Sequence, residues 1–209
     1  MIADFAALIE DVLNETLEDD RSDFENALAL YLHCSANYTY DYDAYDRMSD
    51  EYVDYLSTYR LLTQGLGVCS QFARAYAYLL MQAGVEATTM SGNSTFSGEG
   101  HEWGYVCLNG CNFHVDPTYA SGDPGTLTFF LMDDAQRRDW DYEAENCYCT
   151  SVYAREYSAG PVYTADDDTF SPLWQGTWTG IERGERTLHY NTMDENYRPV
   201  PHTFDYTGW

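Results

Sequence analysis

The sequence predicts an α+β fold in which a helical N-terminal part packs on an antiparallel sheet. Three observations carry this. Up to Gly84 the apolar residues recur mostly at helical spacing, as in Phe72, Ala73, Tyr76, Leu79, Leu80 and Ala83. Beyond it they alternate, and Asn109-Gly110 supplies the strongest two-residue hairpin signal. The chain has 209 residues, 44% of them hydrophobic, which suits one core-forming domain, or one domain with an extension.

Taken in order, residues 4–19 read as an amphipathic helix. Ser22-Asp23-Phe24-Glu25 is a capping box that opens a second helix through Ala27, Leu28, Leu30, Tyr31 and Leu32. Residues 37–46 break the helical period. Their carboxylates Asp41, Asp43 and Asp46 lack the glycine and terminal glutamate of a calcium loop, so the stretch reads as an acidic loop. Ser49 is expected to cap a third helix through about Leu62. A fourth starts at Cys69 and stops at Gly84. Val85 to Met90 reads as a strand, Ser91 to Gly100 as a loop, and His101 to Asp116 as a hairpin. Thr126 to Met132 is expected to form another apolar strand. Asp133 or Asp134 caps a short helix through Arg138. Residues 160–209 read as a short β-rich extension or wrapping tail.

Composition narrows the function. Net charge is −25, all ten cationic residues are arginine, and lysine is absent. Phosphate and anionic lipid would be repelled, which excludes nucleic-acid binding and disfavours an anionic membrane surface. No apolar run has the length of a membrane helix, so no membrane insertion is expected. The start lacks the basic and apolar segments of a signal peptide. The chain reads as cytosolic or as a mature piece of an exported protein.

Cys69 follows Gly65-Leu66-Gly67-Val68 and opens a helix. There it faces unpaired backbone N–H groups and the positive end of the helix dipole, both of which favour thiolate. A catalytic cysteine also needs a base. A two-residue Asn-Gly turn pairs residues whose numbers sum to 219. His101, Trp103, Tyr105, Cys107, Asn112, His114 and Asp116 then share one face, and Val106, Leu108, Cys111, Phe113 and Val115 the other. His101 and Asp116 can therefore touch, giving the cysteine–histidine–carboxylate set of nucleophilic catalysis. His114 is a rival base on the same face.

Three blocks carry a resemblance: Tyr59 with Gly67-Val68-Cys69 and Phe72-Ala73-Arg74-Ala75; His101-Glu102-Trp103; and His114-Val115-Asp116-Pro117-Thr118. With them the chain resembles the transglutaminase-like superfamily over roughly residues 24–150. The resemblance implies a papain-like cysteine fold for residues 1–159, with 160–209 as the extension. It implies Cys69 as nucleophile, His101 as general base and Asp116 as the carboxylate that orients it. Tyr59 is similar to the family's upstream aromatic and is expected to stabilise the oxyanion with the Cys69 N–H. Gln64 is a second candidate donor, and Trp103 is expected to wall the cleft. Gly104 departs from the pattern, where relatives often have Asn. Cys107 and Cys111 depart from it too.

The expected activity is acyl transfer at an amide of a protein or peptide through a thioester, without cofactor or metal, with hydrolysis preferred. The alternatives are an amine-accepting, cross-linking transglutaminase and a catalytically silent binding module of a surface protein. The resemblance to bacterial members suggests the cell surface or exterior of a bacterium, with the cytoplasm as alternative. Four thiolates from Cys107, Cys111, Cys147 and Cys149 could hold zinc, but the hairpin puts Cys107 and Cys111 on opposite faces. A disulfide from Cys111 to Cys147 or Cys149 is expected if the protein is exported. No oligomeric state is specified.

Overall fold

The computed structural model describes residues 2–47, 57–94, 96–140, 146–147 and 164–209. Helix α1 (Ile2–Thr16) leads into α2 (Asp23–Asn37). The capping box at Ser22 forms as the sequence predicts: Ser22 Oγ accepts from the Glu25 N–H and Glu25 Oε2 accepts from the Ser22 N–H. The acidic stretch is more ordered than a loop. Strand β1 (Thr39–Tyr40) pairs in parallel with β2 (Leu66–Gly67), and Asp41 caps the short helix α3 (Tyr42–Asp46). Arg60, itself buried, bonds Asp41 and the Leu66 carbonyl, so this aspartate is committed to structure. The expected cap at Ser49 lies outside the described residues. The described helix there, α4 (Thr58–Gln64), is capped by Ser57.

Helix α5 (Cys69–Gln82) packs on the sheet β5-β4-β3-β6, formed by β3 (Glu86–Asn93), β4 (Gly100–Leu108), β5 (Cys111–Val115) and β6 (Asn146–Cys147). Strand β3 runs three residues further than the sequence suggests, because its pairing with β4 continues to Asn93↔Gly100. The hairpin register is the expected one: Gly104 faces Val115, Tyr105 faces His114 and Leu108 faces Cys111. Asn109 and Gly110 both have positive φ, 51° and 81°, as the tight turn requires. Val106, Leu108, Phe113 and Val115 enter the main core, while Trp103 and Tyr105 on the other face form a second cluster with Met90 and Ala165.

Helix α5 and strand β4 run in the same direction. Arg74 makes a two-pronged ion pair with Glu102, both contacts at 3.0 Å. Two residues on, Tyr76 lies over Gly104, where an added Cβ would sit 2.7 Å from the ring and 3.1 Å from the Val115 carbonyl. The departure from Asn at position 104 therefore has a packing reason: the tyrosine occupies the room a side chain would need. This alignment brings the first residue of α5 level with the start of β4.

The stretch Thr126–Met132 is not a strand. Short helices α6 (Pro117–Ala120) and α7 (Asp134–Asp139) flank it, and its chain reverses at Leu131, with φ 50°. Leu127, Phe130, Leu131 and Met132 are fully buried, so the apolar run is a plug rather than a sheet member. Its backbone groups still need partners. They find them in isolated bridges from Met132 to His114 and from Thr126 to Thr177, in Asp116 N–H to Phe129 O, and in Trp174 Nε1, which donates to the Phe130 carbonyl. An apolar run alone does not distinguish these two outcomes.

Residues 164–209 are β-rich. Strands β7 (Thr177–Glu182), β8 (Thr187–Met193) and β9 (Pro199–Asp205) form an antiparallel sheet. Phe170 and Tyr206 stack on Phe24 of α2 at 5.4 and 4.7 Å, inside the main core. Glu25, 2% exposed, accepts hydrogen bonds from Tyr206, Arg183 and Arg186. Burial would raise its pKa, but these bonds and the Ser22 N–H together hold it below the usual value. Cys34, Cys107 and Cys111 are free thiols alongside Cys69, which corrects the expected disulfide from Cys111. Strand order gives the reason for Cys147: β5 and β6 are opposite edges of the sheet. Cys149 lies outside the described residues, as do the side chains of Cys147 and Asn146. Among the described residues no helix is long and apolar enough to cross a membrane.

Replacing Gly104 by alanine should test the α5–β4 contact. The extra methyl forces Tyr76 or the β4–β5 ladder apart, and urea unfolding should show a loss of about 1–3 kcal/mol. An unchanged midpoint would contradict the close approach.

Candidate active site

Cys69 is the first residue of α5, and its cap, Val68, has no side-chain acceptor to offer the helix N-terminus. Gln71 accepts from the Val68 N–H at 3.0 Å and donates to the Ser57 carbonyl at 2.6 Å, fixing the entry to the helix. Gly67 is needed for the same approach, since a Cβ there would lie 2.8 Å from Leu61 and 3.0 Å from Gln71 Oε1.

His101 is the second residue of β4 and Asp116 the cap of α6. His101 Nε2 donates to Asp116 Oδ2 at 2.6 Å, and the imidazole lines the same cleft as the Cys69 thiol, which adds to its raised pKa. With Nε2 occupied, the ring nitrogen that serves Cys69 is Nδ1. Asp116 is fully buried and takes three further bonds: Arg137 Nη1 to Oδ2 at 2.8 Å, and the Thr118 and Tyr119 N–H groups to Oδ1 at 3.1 and 3.3 Å. Burial alone would raise its pKa; His101 and Arg137 together overcome this and hold it far below the usual carboxylate range. For His101 burial would lower the pKa, but the charge and hydrogen bond of Asp116, with Cys69 adding to them, raise it to about 9.

The rival base is ruled out by its partners. Trp103 Nε1, which can only donate, bonds His114 Nδ1 at 2.8 Å, so the His114 proton is on Nε2, facing Asp134 Oδ1 at 2.8 Å. His114 is fully buried, and burial pushes its pKa down against Asp134. It is a neutral, doubly bonded strut. Its ring meets Trp103, whose ring in turn stacks on His101 at 5.7 Å. Trp103 is fully buried with the Arg137 guanidinium 5.0 Å from its ring, so it backs His101 rather than walling the cleft.

The cleft itself has a volume of about 400 Å³ and has Cys69 and His101 in its lining. One part of that lining is Tyr40, Tyr42 and Tyr45; another is Glu99 and Gly100; a third is Thr118, Tyr119 and Ser121. Neither Tyr59 nor Gln64 is among the described lining residues. Helix α4 turns Arg60 and Leu61 inward, which leaves Tyr59 39% exposed against Phe5 of α1 and Gln64 exposed at the helix end. Tyr40 is among the tyrosines that line the cleft with Cys69, because β1 lies alongside β2 just before the cysteine. Among the described residues no group of three or more histidine, cysteine, aspartate or glutamate side chains could hold a metal ion.

Arg137, Asp134 and Tyr119 were not readable as site residues. Arg137 sits in a six-residue helix with no motif, and its role depends on the plug that returns the chain to Asp116. The one local signal is Asp133, whose side chain caps that helix at Gln136.

A cysteine at a helix start, a histidine and a buried carboxylate behind it are the residue types that thiol-dependent catalysis uses. The family model for the transglutaminase-like superfamily matches residues 10–117, more than half of the chain. The chain belongs to the transglutaminase-like superfamily, and its helices on an antiparallel sheet are the α+β, papain-like arrangement expected of it. No curated protein matches it. Among solved structures it is similar to a TGase at 20% identity, over 54% of this chain and 30% of that one, with a TM-score of 0.42. It is also similar to a proposed cysteine protease from Cytophaga hutchinsonii at 16% identity, over 66% of this chain and 40% of that one, with a TM-score of 0.46. The chain thus spans less than half the length of either.

The raised pKa of His101 has a definite sign. Its contribution to stability is complete below the ordinary histidine value of about 6.5 and is lost as pH rises through about 9. In Asp116→Asn the imidazole should titrate lower than in the parent, as read by NMR of the ring protons. An unchanged midpoint would show that Asp116 does not set the charge of His101.

Proposed function

We propose that the protein is a cysteine-dependent acyl-transfer enzyme that hydrolyses an amide of a peptide or protein through a thioester on Cys69. The observation that carries this is His101, held by buried Asp116 and lining one open cleft together with Cys69. Family membership supports the same kind of chemistry.

In the proposed reaction His101 holds the Cys69 proton, and the Cys69 sulfur attacks the amide carbon. The carbonyl oxygen becomes an oxyanion facing the Cys69 backbone N–H at the start of α5, where the helix leaves that group without an intrahelical partner. Asp116 keeps the proton-bearing Nε2 in place and stabilises the imidazolium. The carbon–nitrogen bond then breaks, His101 delivers its proton to the leaving nitrogen, and an acyl thioester remains. Water entering from the cleft gives a proton to His101 and displaces the thiol, leaving a carboxylic acid. An amine in place of water would make the same site a cross-linking enzyme; hydrolysis is preferred on the resemblance to bacterial members that look like peptidases. Residues 160–209 are proposed as an extension that braces the catalytic part through Glu25 and Phe24. A bacterial, exported setting is proposed on resemblance alone.

Iodoacetamide near pH 6 should modify Cys69 rapidly and selectively, and much more slowly in His101→Ala. Equal rates would remove the basis for an activated cysteine and favour a silent binding module. With a glutamine peptide and a labelled amine, ammonia release without incorporation of label is expected; incorporation would make the amine acceptor the correct reading.

A further inference from the structure

We propose that the cleft beside Cys69 receives a cationic side chain, arginine or lysine, of the same peptide whose amide reacts. This rests on the hydrolase reading above and adds the substrate class to it. The first ground is the aromatic wall. The Tyr40 and Tyr42 rings lie 4.9 Å apart, tilted by 60°, and the Tyr40 and Tyr45 rings 6.1 Å apart, tilted by 53°. All three rings line the cleft, and an aromatic ring attracts a cation through its negative face.

The second ground is charge. Glu99 lines the same cleft, and the Tyr45 hydroxyl donates to its Oε1 at 3.2 Å, which orients the carboxylate beside the rings. No lysine or arginine is among the described residues of the lining. Arg60 of α4 is engaged by Asp41 and the Leu66 carbonyl. The imidazole of His101, at the cysteine end, is paired with buried Asp116. The protein's net charge of −25 would draw cationic peptides toward any such opening.

The third ground is Thr118, which also lines the cleft, at 7% exposure. Its Oγ1 has no hydrogen-bond partner among the described residues. A buried hydroxyl of this kind is suited to a polar group of a bound chain, such as a peptide amide. Cleft volume fits one long side chain together with the reacting amide, at about 400 Å³.

The test compares two thiol reagents of equal chemistry and opposite charge, trimethylammonioethyl and sulfonatoethyl methanethiosulfonate. Their modification rates are read at Cys69 by peptide mass mapping of the full chain. The cationic reagent should react faster. In the double variant Tyr42→Leu, Tyr45→Leu the rate ratio should fall about tenfold, the scale of one or two cation–ring contacts. Tyr-to-Leu substitution leaves net charge unchanged, so attraction by the whole protein is the same in both. Tyr42→Phe keeps the ring face and should keep most of the preference, which separates loss of the cage from loss of folding. A ratio unchanged in the double variant, or no preference for the cation in the parent, overturns the proposal. The reagents read the cleft whether or not Cys69 turns over an amide. Absence of amide turnover with the cation preference intact would therefore fell only the hydrolase reading, and the reverse result only the cationic one.

Discussion

The site depends on a carboxylate closed off from bulk solvent. Asp116 is fully buried, and its charge is held by an imidazole, a guanidinium and two backbone N–H groups. Removing one partner from such a buried charge costs about 3–5 kcal/mol, because the remaining charge is left without compensation. The surrounding structure is arranged to keep all four partners in place. The hairpin supplies His101 and the carboxylate, α6 supplies the two N–H groups, and α7 supplies Arg137. The plug of buried residues 127–132 is what lets α7 return to the hairpin at all.

Behind that carboxylate lies a second line of support. Asp134 accepts from His114, and His114 accepts from Trp103, whose ring stacks on His101. Asp134 also exchanges backbone and side-chain bonds with Ala165, at the start of the tail. The tail is thereby tied to the back of the site as well as to α2 through Glu25. A chain with net charge −25 has few cations with which to do this, and the structure uses its arginines sparingly: Arg137 at Asp116, Arg60 at Asp41, Arg74 at Glu102, Arg183 and Arg186 at Glu25. Most of these join segments distant in sequence.

Much of the arrangement was legible locally. The Asn109-Gly110 turn set the register, and the register put His101 and Asp116 on one face. Ser22 and Glu25 marked the second helix, and the helix starting at Cys69 was visible in its period. What was not legible depended on distant contacts. The run Thr126–Met132 has strand composition, yet becomes a plug because its backbone is satisfied by Trp174 and by the ends of the hairpin. Tyr59 matches a family position in sequence, but Arg60 and Leu61 take the inward face of its helix. Tyr40, in a stretch that read as an acidic loop, reaches the cleft through a parallel pairing no local pattern announces. Trp103 was on the correct face, but burial by Arg137 and His114 turned it from wall to support.

The central claim is that Cys69 carries the acyl group. The most direct measurement is acid quenching of the protein during reaction with an amide peptide, followed by mass spectrometry of the intact chain and its fragments. The account predicts an acyl mass on Cys69, labile to hydroxylamine as a thioester is, and absent from Cys69→Ala. An adduct on another residue, or turnover that persists in Cys69→Ala, would contradict it.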